Sequence, residues 1–293
     1  MAYTSQGLKA GLLVVAALGL GTAWAQLAPA QPPADAVQAA PAKETNGADP
    51  APADPPSANG VVQLPLSAQC SVPSKEIAAP APLPAMIAKL ESGKSLRILA
   101  IGSSSTWGVG ATSRQKNYPS QLETMLEKSM KDVNVEIVNR GVSGETTETT
   151  SDRLRTEAVL IKPDLVLWQL GTNDAVQHVD VETFEHTVRK TIKALRRKHI
   201  DVVLVGLQYT PNYSRDEHYF AIRDALNRIA TDLNVLYVRR YAAMEFIART
   251  KANMKMLSDD NFHLNDLGYQ CMAEHIAQAV TANLFVRRKK PAS

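Results

Sequence analysis

Five short apolar runs recur along the chain, at 96–101 (LRILAI), 133–139 (VNVEIVN), 164–169 (DLVLWQ), 202–206 (VVLVG) and 235–238 (VLYV). Each is short and rich in Val, Ile and Leu, so each reads as a β-strand. The runs are nearly continuous rather than alternating, as expected of strands covered by helices on both faces. Between them, 119–131, 152–161, 181–198 and 217–232 place apolar residues at helical spacing. Two more helical stretches follow, 241–253 and 265–285, the last with Asn265 as its N-cap. Regular β/α alternation predicts a five-stranded parallel sheet with right-handed crossovers. In such a sheet, ligands bind outside the carboxyl ends of the strands, so the loops after each run are the places to search. No internal repeat is present.

The beginning of the chain follows a different pattern. Lys9 is the only charged residue before position 26, an apolar run covers 10–20, and Ala23-Trp24-Ala25 supplies small residues around a cleavage point. This is the layout of a secretory signal peptide over 1–25, with cleavage after Ala25. The apolar run is short for a membrane span, which needs ~20 residues. The mature protein is therefore expected to be periplasmic or secreted, without stable membrane insertion. Residues 26–66 carry nine prolines among Ala, Asp, Asn and Gly. Such a stretch has little to bury and reads as a disordered linker. A single folded domain is expected over 67–286, followed by a basic tail, 287–293.

Composition narrows the function classes. The 293 residues are 45% hydrophobic, enough for one sizeable core, and the net charge of +3 is small. Arg287, Arg288, Lys289 and Lys290 supply four positive charges in one solvated tail. No basic stripe with interleaved aromatics accompanies it, which argues against nucleic-acid binding. The two cysteines, Cys70 and Cys271, are either a disulfide, which export permits, or two buried thiols. The oligomeric state is not legible.

Four polar loops carry the candidate chemistry. Gly102-Ser103-Ser104-Ser105-Thr106 follows the first run, and Asn139 through Thr146, containing Gly141-Val142-Ser143-Gly144, follows the second. Gly171-Thr172-Asn173-Asp174 follows the third, and Asp260-Asn261-Phe262-His263 precedes the last helix. These parts suit acyl transfer. A serine hydroxyl needs a neighbouring base, and His263 is the candidate base for Ser104. Asp260, three residues earlier, is placed to orient the imidazole. A tetrahedral intermediate needs donors where its charge develops: the Gly144 N–H, the Asn173 amide and the Ser104 N–H are the candidates.

Taken together, these loops resemble the four blocks of the SGNH (GDSL-like) hydrolase family, over about 96–285. The resemblance implies Ser104 as nucleophile, Gly144 and Asn173 as oxyanion donors, and Asp260 with His263 as acid and base. It also implies a flavodoxin-like three-layer α/β/α sandwich with no metal and no organic cofactor. Pro211-Asn212-Tyr213 is similar to a substrate-side loop of the bacterial thioesterase/lysophospholipase branch. One departure is clear: the first block usually reads Gly-Asp-Ser-Leu, and Ser103 and Ser105 stand in place of Asp and Leu. Ser143 is a rival nucleophile. His178 and Trp107 are further residues that could flank the site.

Other readings fit less well. The glycines at 102, 108 and 110 do not form a dinucleotide-binding G-x-G-x-x-G, and no HExxH or Cys/His cluster marks a metal site. The block around Ser104 also lacks the second glycine of a G-x-S-x-G elbow. The expected function is an exported serine esterase acting on short acyl esters, such as O-acetyl groups of an envelope or exopolysaccharide glycan. The alternatives are a lysophospholipase or thioesterase, an O-acyltransferase, and a non-catalytic carbohydrate-binding domain.

Overall fold

The computed structural model describes residues 61–93 and 95–284. The expected signal peptide, most of the linker and the basic tail lie outside the described residues. The end of the linker stretch is described. There Val61 is buried and bridges Met130, and the Val62 N–H donates to the Ser129 carbonyl.

In chain order the elements are α1 (Ser74–Ile77), β1 (Ala78–Ala79), α2 (Pro84–Ser92), β2 (Ser95–Gly102) and α3 (Ser104–Trp107). Then come α4 (Tyr118–Ser129), β3 (Asn134–Gly141), α5 (Thr147–Ile161), β4 (Leu165–Gln169), α6 (Thr172–Val176) and α7 (Val181–Arg196). The chain continues through β5 (Asp201–Val205), α8 (Glu217–Leu233), β6 (Leu236–Val238), α9 (Arg240–Thr250) and α10 (Asp266–Leu284). The sheet order is β1-β6-β5-β4-β2-β3. The five expected strands are parallel, in the flavodoxin-like order. The expected count of five is corrected to six by β1, which pairs antiparallel with β6 at the edge. Two alanines are too short a run to carry any strand pattern.

The three layers follow from side-chain alternation on the strands. Ile98, Ala100, Leu165, Leu167, Val203 and Val205 face one core, packed with residues of α4, α9 and α10. Leu99, Ile101, Val166, Trp168, Val202 and Leu204 face the other, packed with residues of α5, α7 and α8. Helix starts are set locally. Asn117, Asp180 and Asp216 each accept a backbone N–H three residues on, satisfying one donor of the first turn. Asn265 does the same for α10, accepting from the Gly268 N–H at 2.9 Å. α5 starts five residues earlier than its apolar pattern, because Asp174 receives both the N–H and the hydroxyl of Thr147 at 2.9 Å.

The cysteines form a disulfide, Cys70–Cys271, with Cα atoms 4.9 Å apart and 201 residues between them in sequence. It fastens the segment before α1 to the middle of α10. Nearby, the buried His275 donates to the Cys70 carbonyl at 2.7 Å, and burial lowers its pKa. Closing so long a loop restricts the unfolded chain, an effect worth about 2–5 kcal/mol. Replacing both cysteines by alanine is therefore expected to lower the melting temperature by about 5–15 °C. Calorimetry on the oxidised parent and the variant checks this, and equal melting temperatures would contradict it.

β2 pairs with β3 on one side and β4 on the other, so the winding of the sheet reverses at β2. The crevice at the carboxyl end of such a strand is where α/β sheets bind ligands. Ser104 begins the helix that follows β2. A concavity of about 790 Å³ lies at the amino ends of the strands, beside Asp164 and Asp201. Its polar groups largely satisfy one another: Asp201 accepts from Met86 N–H at 2.9 Å, and Lys89 lies 3.7 Å from Asp164.

Candidate active site

The turn after β2 is held from below by one glutamine. Gln169, the polar end of the buried strand β4, accepts from the Ser103 N–H at 2.9 Å, the Ser103 hydroxyl at 3.1 Å and the Thr106 hydroxyl at 3.2 Å. The Ser105 hydroxyl donates to Gln208 at 3.2 Å. Two of the three adjacent serines are thus engaged with the interior. Ser104 is itself only 7% exposed, and its Oγ lies 3.2 Å from His263 Nε2.

His263 sits in a tight loop before α10. Asp260 organises that loop by accepting the N–H groups of Phe262 and His263, both at 2.9 Å, through one carboxylate oxygen. Its other oxygen lies 2.6 Å from His263 Nδ1. This fixes the tautomer: Nδ1 carries a proton toward Asp260, and Nε2 is left to accept from Ser104. Partial desolvation would raise the Asp260 carboxyl. The hydrogen bonds from His263, Phe262 and Ser258 outweigh it and hold the group well below the usual carboxylate range. Asp260 therefore stays charged at neutral and mildly acidic pH. Behind the loop, the Thr210 hydroxyl donates to the Asn261 carbonyl at 2.8 Å, and Gln208 Nε2 to the Phe262 carbonyl at 2.6 Å.

The loops after β3 and β4 meet beside this set. Gly141 permits close approach: a Cβ there would lie 2.1 Å from the Trp107 nitrogen. The Val142 N–H donates to the Gly102 carbonyl at 2.9 Å, and Asn139 ties the same end to α3 through the Thr106 carbonyl at 2.7 Å. Gly144 has a φ of +83°, in the left-handed region where a side chain is strained. Asn173 Nδ2 donates to the Glu145 carbonyl at 2.8 Å, which joins the two candidate donor loops. A primary amide has two N–H groups, so this bond leaves the second for another acceptor. Glu145 is fixed in turn by Arg153 at 2.6 Å. The rival Ser143 is exposed in the same loop.

His178 is exposed and packs 4.9 Å from the ring of His218. Pro211–Tyr213 forms a short 3₁₀ turn, and Tyr213 lies 6.2 Å from the ring of Phe262, next to His263. Trp107 is 52% exposed, one helical turn after Ser104, with Arg114 5.2 Å over its ring. Gln169, Gln208 and Arg240, which hold these loops from the interior, carry no signal in the sequence beyond being polar residues beside apolar runs. Among the described residues, no group of three or more His, Cys, Asp or Glu side chains is arranged to hold a metal ion.

Comparison with known proteins agrees with this architecture. The pattern of a family described as non-GDSL lipase-like matches residues 69–284. An arylesterase of Vibrio mimicus is 25% identical over 193 residues, covering 66% of this chain and 92% of that protein. An acetylxylan esterase of Geobacillus stearothermophilus is 22% identical over 173 residues, 53% of this chain and 77% of that protein. Among solved structures, a two-domain esterase active on acetylated mannans superposes with a TM-score of 0.64 at 17% identity, over 76% of this chain. The match spans 59% of that longer chain.

Proposed function

The chain belongs to the non-GDSL lipase-like family and is a carboxylic ester hydrolase, and on that premise we propose that it removes short acyl groups from glycans outside the cytoplasm, with Ser104 as nucleophile. The observation that carries this reading is the continuous chain Ser104 Oγ, His263 Nε2, His263 Nδ1 and Asp260, with links of 3.2 and 2.6 Å.

In this mechanism His263 Nε2 takes the Ser104 proton as Oγ attacks the acyl carbonyl carbon. The tetrahedral oxyanion receives the N–H groups of Gly144, the Asn173 amide and Ser104. Its collapse expels the sugar alkoxide, which takes the proton from His263, and an acyl-serine remains. Water then attacks, His263 removing its proton, and the acid leaves as Oγ is reprotonated. Asp260 holds the imidazole and balances its transient positive charge.

Three observations support the substrate class. Two relatives are named for acetylated xylan and acetylated mannans. Trp107 offers an exposed ring within a turn of Ser104, and the exposed Val142 follows Gly141, which packs on Trp107. The Cys70–Cys271 disulfide supports an oxidising compartment and thus export. A second reading, a lysophospholipase or thioesterase, is favoured by the Pro211–Tyr213 turn beside Phe262. Hydrolysis of p-nitrophenyl acetate, butyrate and octanoate separates the two, together with acetate release from acetylated xylan and mannan. The glycan reading expects kcat/KM to be highest for acetate and acetyl release from polysaccharide. A preference for octanoate would overturn it in favour of the lipid reading.

A further inference from the structure

Arg240, the first residue of α9, is 2% exposed and sits at the carboxyl end of β6. Its Nη2 donates to Gln208 Oε1 at 3.1 Å and lies 3.4 Å from Thr172 Oγ1, and its Nη1 lies 3.6 Å from Met272 Sδ. Among the described residues none of these partners is a carboxylate, and its Nε has no partner. The titratable groups that face it are phenols: Tyr118 from α4, Tyr219 from α8, Tyr237 from β6 and Tyr269 from α10. Burial pushes Tyr118 up to about 12 and the other three higher, so all four are neutral and none offsets the charge.

A buried cation without a counter-ion is expensive, and a neutral side chain of similar volume would often serve the fold as well. What distinguishes this position is where its contacts lead. Gln208 Oε1, which accepts from Arg240, also accepts the Ser105 hydroxyl at 3.2 Å, next to Ser104. The other end of Gln208 donates to the Phe262 carbonyl at 2.6 Å, next to His263. Thr172 precedes Asn173. One guanidinium therefore stands behind all three loops.

Building on the Ser104 reading above, we propose that Arg240 is a positioning residue that ties the Ser104, Asn173 and His263 loops together through Gln208 and Thr172, and that its uncompensated charge favours the negative charge developing in front of them. At an effective dielectric of about 20, a cation within ~10 Å of an oxyanion changes the rate by about tenfold or more.

The test compares the parent with Arg240→Lys and Arg240→Met, using Arg240→Gln as the neutral variant if Arg240→Met does not fold. Steady-state hydrolysis of p-nitrophenyl acetate gives kcat and KM, and amide hydrogen exchange is followed at 104–107, 172–174 and 261–264 without substrate. The neutral variant is expected to lose about tenfold or more in kcat with KM within about twofold, and to exchange faster in all three loops but not in β4 and β5. Arg240→Lys is expected to recover most of the kcat. A neutral variant with parental kcat, or a lysine variant no better than the neutral one, would overturn the electrostatic part. Parental exchange in the three loops would overturn the tie. A parent without Ser104-dependent hydrolysis would count against the Ser104 reading alone, since the exchange measurement needs no turnover.

Discussion

Ser104→Ala is expected to lower kcat for p-nitrophenyl acetate by about 10⁶-fold while leaving the fold intact, the loss usual when a triad serine is removed. The side chain is small and nearly buried, and it hydrogen-bonds to His263, so its loss opens no significant cavity. The three adjacent serines make the expectation selective. Ser103 and Ser105 point to Gln169 and Gln208 and cannot take over without breaking those bonds. Ser143 lies on an exposed turn that is engaged to its neighbours through Val142 and Glu145. Comparable loss from Ser143→Ala, or parental activity in Ser104→Ala, would contradict the assignment. Equal thermal unfolding of parent and variant guards against a trivial loss of structure.

His263→Ala is expected to cost nearly as much, because a hydroxyl without its base is a weak nucleophile. The change also strands Asp260, whose second oxygen would lose its 2.6 Å partner and face solvent. The loop itself is expected to persist, since Asp260 still accepts the backbone N–H groups at 262 and 263 and Leu257 still bridges Leu264. Removal of both Ser104 and His263 is expected to be no worse than removal of either, since residues that act as one unit are not additive. Steady-state rates of the two single variants and the double variant check this. A double variant about 10³-fold below either single one would mean that the residues act separately.

The sheet was legible because its strands are short apolar runs. The run at 96–101 forms Ser95–Gly102, and that at 202–206 forms Asp201–Val205, a difference of one residue at each end. Among the elements that escape the pattern, several are held by tertiary bonds: α3 on Gln169, the first turn of α5 on Asp174, and β1 on β6. The four loops were legible because each combines glycine or small polar residues with a strand end or helix start. Their mutual distances were not, nor was the supporting layer. Nothing local to Gln208 or Arg240 in the sequence says that one side chain will bridge Ser105 and Phe262, 157 residues apart, or that the other will sit without a carboxylate. The cysteine pair stood equally open until the fold brought the segment before α1 onto α10.

The departure of the first block from Gly-Asp-Ser-Leu also has a physical reading. Where Ser103 stands, its N–H and hydroxyl both go to Gln169, and where Ser105 stands, its hydroxyl goes to Gln208. The turn is therefore built on side-chain amides rather than on a carboxylate, and it leaves Ser104 Oγ facing His263.

The most direct measurement is covalent. The protein is treated with diethyl p-nitrophenyl phosphate, which phosphorylates activated serines, and the modified residue is located by peptide mass spectrometry. One diethylphosphoryl group on Ser104, absent from Ser104→Ala and from His263→Ala, is the predicted result. Modification at Ser143 or another residue, or no modification of a protein that hydrolyses p-nitrophenyl acetate, would contradict the account.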